Sequence, residues 1–290
     1  RAMPRFPVEQ KGKFRAIDDG KANGANAATT MAETVTTPHF VYPAIVARAV
    51  AEAAAAHGRG PRQMLLALAD LSMAYRTVPN SQPWYTAFGI YNPYAVPPAP
   101  EYYYLPGHNF GLQSAVVNFN RFPELVVTAA RALAAVPAER YYDDFIVPDL
   151  AAGGRTGLDV LEALVRHLGR GRARRPHELV CSPELDPEKT QESAPVNTIL
   201  GVVADLSRVS SDGIVLFRAT PERIEAIILA FEGALARGRL SPHEASRLRG
   251  KLYFLLSAAY ASVGRAATLP LVQRQYRDAD HSFHTGSELH

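Results

Sequence analysis

Two adjacent aspartates, Asp143 and Asp144, sit inside a run of strand-forming residues, Arg140–Val147, with the sequence RYYDDFIV. Tyr141, Tyr142, Phe145, Ile146 and Val147 favour extended backbone and neighbouring carboxylates do not, which predicts a hairpin with the pair at its tip. Each carboxylate raises the pKa of the other unless a cation neutralises them, so the motif calls for a divalent metal. Solvated turns carry such pairs too, and this stretch alone leaves that reading open. A second apolar run, Met64–Asp70 (MLLALAD), has strand length, ends on a carboxylate and gives way at once to turn chemistry in LSMAYRTVP. Two such strands side by side bring three carboxylates together. Phosphoryl transfer with two metals about 3.5–4 Å apart needs that arrangement.

At 290 residues, 47% hydrophobic and 20% charged, the chain can bury a substantial core and is no disordered tail. A net charge of +3 is compatible with nucleic acid without proving it. The single cysteine, Cys181, excludes an internal disulfide and a cysteine-rich zinc site. Metal ligation is left to oxygen, and a reducing compartment is the simpler expectation. With no apolar run of membrane-spanning length and no signal-peptide layout, the sequence reads as a soluble intracellular protein of cytoplasm or nucleus with no membrane partner. Its start at Arg1 suggests a fragment or a processed piece.

Along the chain, Gln10–Asp19 (QKGKFRAIDD) combines a basic turn with a short strand in which Lys13 and Arg15 alternate with Phe14 and Ala16. The Asp18–Asp19 pair reads as structural. Gly20–Thr37 is loop, and the alanine-rich Pro43–His57 is a helix ended by Gly58. Trp84–Tyr104, rich in tyrosine and proline, is a loop and hairpin that either packs on the core or stacks on bases. Thr156–Leu168 places Leu158, Leu161, Leu164, Val165 and Leu168 on one helical face. Arg170, Arg172, Arg174 and Arg175 form a solvated basic loop. Ile224, Ile227, Ile228, Phe231 and Leu235 follow helical spacing, and a further helix opens with a capping box, Ser241 and Glu244, around Pro242. In the polar tail from Gln275, His281 and His284 have metal-like spacing but no further ligands.

From about Lys11 to Leu269 the chain resembles the polymerase domain of reverse transcriptases, particularly those of retrotransposons. YYDD matches the family's Tyr-X-Asp-Asp box, ADLSMAYRTVP its metal-binding strand, and FGLQSAVVNFNRF its helix after a Phe-Gly-Leu turn, in the family's order. The resemblance implies an α+β fold, a right-hand polymerase with fingers, a palm of antiparallel sheet backed by helices, and a helical thumb. Partial fingers would span 1–59, the palm 60–212 with a finger insertion at about 84–104, the thumb or connection 213–270, and a polar tail 271–290. The implied activity is RNA-directed DNA synthesis by a retroelement enzyme, with an RNA or DNA template, a primer and dNTPs as partners. Asp70, Asp143 and Asp144 would hold two Mg2+ ions, for which Mn2+ could stand in.

Further roles follow from the same likeness. Lys189, in DPEKTQ, would protonate the leaving pyrophosphate, with a surface lysine as the plain alternative. Arg15 and Lys13 would clamp phosphates, and Tyr75 would lie beneath the sugar unless it is a core tyrosine. Phe110, Gly111 and Gln113 would shape the template and nucleotide pocket, with small residues at Gly111, Ser114 and Ala115 allowing close approach, a pattern that a core helix would also show. Val116 stands where many relatives have proline. Leu200 and Gly201, within NTILGVVADLS, would grip the primer end. Two other functions stay open: a catalytically idle, nucleic-acid-binding remnant of such a polymerase, and an RNA-templated RNA polymerase, against which Tyr75 discriminates.

Overall fold

Around the turn at Gly12, whose positive φ of 72° suits a residue without Cβ, β1 (Met3–Gln10) and β2 (Lys13–Asp18) form an antiparallel hairpin. The chain then passes through α1 (Tyr42–Ala56) and enters β3 (Met64–Asp70). This computed structural model describes residues 3–10, 12–169, 183–259 and 265–276. It is a mixed α+β fold of two units, each discontinuous in sequence: Arg1–Pro38 with Ala67–Ser193, and His39–Leu66 with Ala194–His290. Residues 1–59 are therefore divided between both units. Arg170, Arg172, Arg174, Arg175, Cys181, His281 and His284 lie outside the described residues.

In the first unit, β4 (Phe88–Asn92) and β5 (Ala99–Tyr103) pair with each other, and β4 runs parallel to β1, giving a sheet of order β2-β1-β4-β5. The tyrosine-rich segment is thus a hairpin, as expected, but it extends the N-terminal hairpin through Met3 and Phe88. The buried side of this sheet sets Met3 and Phe88 against Leu112 and Ala115 at the start of α2 (Gln113–Ala134). Asp18 is structural, as read: its buried carboxylate takes two bonds from Arg5, at 2.7 and 2.9 Å. Asp19 accepts the N–H groups of Lys21 and Ala22 in a local turn.

A second sheet of the same unit has the order β6-β7-β3-β8, built from β6 (Glu139–Tyr141), β7 (Asp144–Leu150), β3 and β8 (Gln191–Ala194). Its core combines Ala67, Ala69, Phe145 and Val147 with Phe119, Val126 and Val127 of α2 and Leu158, Leu161 and Val165 of α3 (Thr156–Leu168). The predicted stripe of α3 is thus the buried one, apart from Leu168 at its exposed end.

In the second unit, β9 (Val196–Ile199), β10 (Val202–Asp205) and β11 (Leu216–Ala219) form an antiparallel sheet, with α4 (Val209–Asp212) between the last two strands. The helices α5 (Pro221–Ala236), α6 (Pro242–Ala259) and α7 (Leu269–Tyr276) follow. The capping box at α6 is present in full: Ser241 N donates to Glu244 Oε2 at 2.9 Å, and Glu244 N to Ser241 Oγ at 3.2 Å. Along α5, Ile227 and Ala234 are buried, whereas Ile224, Ile228 and Leu235 are exposed, because α6 and α7 cover only one side of it. No helix among the described residues is long and apolar enough to cross a membrane.

Candidate active site

The two-residue loop between β6 and β7 is Tyr142–Asp143, and Asp144 is already in the ladder opposite Tyr141. The tip lies one residue earlier than expected because Tyr142 takes the positive φ, 57°, that so short a connection demands. Such a conformation is strained for a bulky residue, and strain of this kind persists where the surroundings enforce it. Here the neighbouring strand does so: Leu71 N donates to the Asp143 carbonyl at 2.9 Å. That bond fixes the loop beside the end of β3, and Asp70, only 6% exposed, is brought to the same spot.

Asp70, Asp143 and Asp144 each offer a carboxylate oxygen, and these oxygens lie within 4.8 Å of one another. Opposed oxygens around an octahedral Mg2+ are roughly 4 Å apart, so the donor set fits a hard divalent cation after a slight contraction. Burial, followed by the charges of Asp143 and Asp70 and a hydrogen bond with Asp70, pushes the Asp144 carboxyl up to about 7. Lys189 opposes this. Its ammonium is ion-paired with Asp70 and stands 3.5 Å from Asp186, on a segment held by the bond from Asp186 N to the Asp70 carbonyl at 2.7 Å. Burial works against the Lys189 charge, but Asp70, Asp186 and Asp143 outweigh it and hold the ammonium above the ordinary lysine range.

The raised Asp144 carboxyl gives a test without catalysis. A carboxyl whose folded pKa exceeds its unfolded value, about 3.9, costs stability as pH rises from about 4 to about 7. In EDTA at pH 8, Asp144→Asn is expected to melt higher than the wild type by on the order of 2 kcal/mol, roughly 4 °C, with the gap narrowed to about a third at pH 5 and nearly closed at pH 4. An Asn variant that melts no higher at pH 8 than at pH 5, relative to wild type, would show that the three carboxylates do not crowd one another.

Tyr75 stands on the short 3-10 turn Ala74–Thr77, which opens with two residues of positive φ, its N-cap Met73 and its first residue Ala74. Its ring meets those of Phe110 and Phe119 edge-on, both at 5.2 Å between centroids. Burial first, then the charges of Asp143 and Tyr142, raise its phenol pKa. One ring therefore packs on the core and also borders the acidic cluster.

Gly111 has φ 97°, and a Cβ there would collide with the carbonyl oxygen of Asp18. Ala115 is fully buried. At Gly111 the space a Cβ would need is taken by the chain itself, and Ala115 packs in the core, as small residues of a core helix also do. Gln113 is exposed at the start of α2, where Asn26 receives its N–H at 3.0 Å and donates to Gly111 O at 2.9 Å. Asn26, unremarked in the sequence, thus caps a helix whose own N-cap, Leu112, has no polar side chain.

Lys13 and Arg15 lie on β2, paired in register with Gln10 and Val8; their side chains fall outside the described part of the structure. Leu200 and Gly201 form the β9–β10 turn of the second unit, with φ of 50° and 79°. Arg223 of α5 donates to the Leu200 carbonyl at 3.0 Å and fills the space beside Gly201. The chain matches no protein-family model and no curated protein.

Proposed function

We propose that the chain is an RNA-directed DNA polymerase of the retroelement type, a nucleotidyltransferase that adds dNTPs to a primer on an RNA or DNA template. The observation that carries this reading is the convergence of Asp70, Asp143 and Asp144, from two neighbouring strands, within 4.8 Å. In that reading the first unit supplies fingers and palm, and the β9–β10 turn with α5 and α6 supplies primer grip and thumb. Asp70, Asp143 and Asp144 would hold two Mg2+ ions, which when bound lower the pKa of the primer 3′-hydroxyl and neutralise the triphosphate.

The remaining work falls to the chain. Lys189, kept protonated by its carboxylate neighbours, is a proton donor at the edge of the cluster for the departing pyrophosphate. The Tyr75 ring limits the space beside Asp143 for the incoming sugar. Lys13 and Arg15 would meet the phosphates with charge-assisted bonds.

Magnesium-dependent extension of a labelled primer on matched RNA and DNA templates tests the proposal. Extension with dNTPs on both templates is the expected result. Binding of primer-template without any extension, in Mg2+ or Mn2+, would instead make the chain an idle remnant.

A further inference from the structure

Arg140 precedes the Tyr-Tyr-Asp-Asp box and pairs in register with Phe145, which is fully buried in the core. Directly opposed residues of an antiparallel pair share a face, so an arginine occupies a position whose neighbours are apolar. Its side chain is 7% exposed and fully engaged by α2. Nε and NH2 donate to Glu124 Oε2 at 2.9 and 2.8 Å, and NH1 donates to Asn120 Oδ1 at 2.8 Å. Asn120 is itself fixed, donating from Nδ2 to the Val116 carbonyl at 2.7 Å. A second clamp lies alongside: Arg131 of α2 donates to the Ala138 carbonyl at 2.8 Å and to Glu139 at 2.7 Å.

The ion pair is buried on the arginine side alone, the Glu124 side chain being 51% exposed, and a pair open to solvent on one side adds little stability. Apolar packing, however, is non-directional and tolerates small slips of one element along another, whereas a guanidinium fork with two partners fixes both distance and orientation. The hairpin so held carries Asp143 and Asp144 within four residues of Arg140, and the helix that holds it begins at Gln113. We propose that Arg140 is a positioning residue, locking the hairpin that bears Asp143 and Asp144 to α2 so that the carboxylates keep their register with Asp70. The inference rests on the polymerase reading above and adds to it a residue that touches neither metal nor nucleotide.

A misplacement of about 1 Å in a reacting group is enough to lower a rate about 100-fold. Arg140→Met should therefore fold with a lowered melting temperature, because the buried Asn120 Oδ1 loses its donor, yet extend primers with kcat lowered about 10- to 100-fold and KM for dNTP within about twofold. Arg140→Lys, which can keep one partner but not both, should fall between. Independently of turnover, the affinity for Mn2+ followed by electron paramagnetic resonance should drop several-fold in Arg140→Met. A folded Arg140→Met with wild-type kcat and wild-type Mn2+ affinity overturns the proposal while leaving the polymerase intact. So does failure of both the Met and the Lys variants to fold, which would make the cluster purely structural. A wild-type chain that neither binds Mn2+ nor extends a primer overturns the polymerase reading, and this inference with it.

Discussion

Asp143→Asn, and separately Asp70→Asn, is expected to lower nucleotide addition by about 10³-fold or more while primer-template affinity stays within about twofold. The amide is nearly isosteric with the carboxylate, so the hairpin and the end of β3 keep their shape. It lacks the negative charge that a hard cation requires. A loss of about 4 kcal/mol in transition-state stabilisation corresponds to that factor at about 1.36 kcal/mol per decade. In the polymerase reading duplex affinity would come, by contrast, from phosphate contacts spread over the whole interface. In Asp70→Asn the Lys189 ammonium retains Asp186 at 3.5 Å and stays 54% exposed, so no buried charge is stranded. Single-turnover extension at saturating Mg2+, beside a binding titration, decides the matter. Substantial extension by either variant would remove these carboxylates from the metal site.

Replacing Tyr75 by Val or Ala is expected to raise ribonucleotide use relative to deoxyribonucleotide use by about ten- to two-hundred-fold, the range of a pocket clash of roughly 1–3 kcal/mol. The ring borders Asp143 on one side and is wedged between Phe110 and Phe119 on the other. Truncation to alanine therefore also opens the core and costs about 2 kcal/mol or more of stability. Tyr75→Val, which fills part of the gap, is the better probe, with Tyr75→Phe as a control that keeps the bulk. Comparing kcat/KM for matched dNTP and rNTP separates the two roles. A variant that loses stability but keeps the wild-type sugar ratio would make Tyr75 a core tyrosine alone and weaken the assignment to DNA synthesis.

Much of this site was readable in the sequence because its signals are local. The strand Met64–Asp70, the hairpin around Asp143, the stripe of α3 and the Ser241–Glu244 capping box depend on residues a few positions apart. What stayed hidden is non-local. Nothing near Lys189 announces Asp70, 119 positions away, and nothing near Asn26 announces the start of α2. The parallel pairing of β1 with β4 depends on partners about 85 residues apart, Met3 with Phe88. Arg140 carried no signal because an arginine beside a carboxylate pair reads as a solvated flank until its burial is known. At Gly111 small size is visible in the sequence, but the carbonyl of Asp18 that a Cβ would meet is not.

The interleaving of the two units bears on how the chain is made and cut. No contiguous piece of the sequence contains either unit alone, since 39–66 of the second lies between the halves of the first. A nascent chain reaching residue 193 has every segment of the first unit but holds α1 without its partners. The Phe40 ring still awaits Phe217 and Phe254, and the Leu66 carbonyl still awaits Asn197. Domains generally fold as units during synthesis, the N-terminal one first. Here the first must fold while 39–66, which interrupts its sequence, still lacks its partners, so no single contiguous stretch of this chain serves as a recombinant version of it.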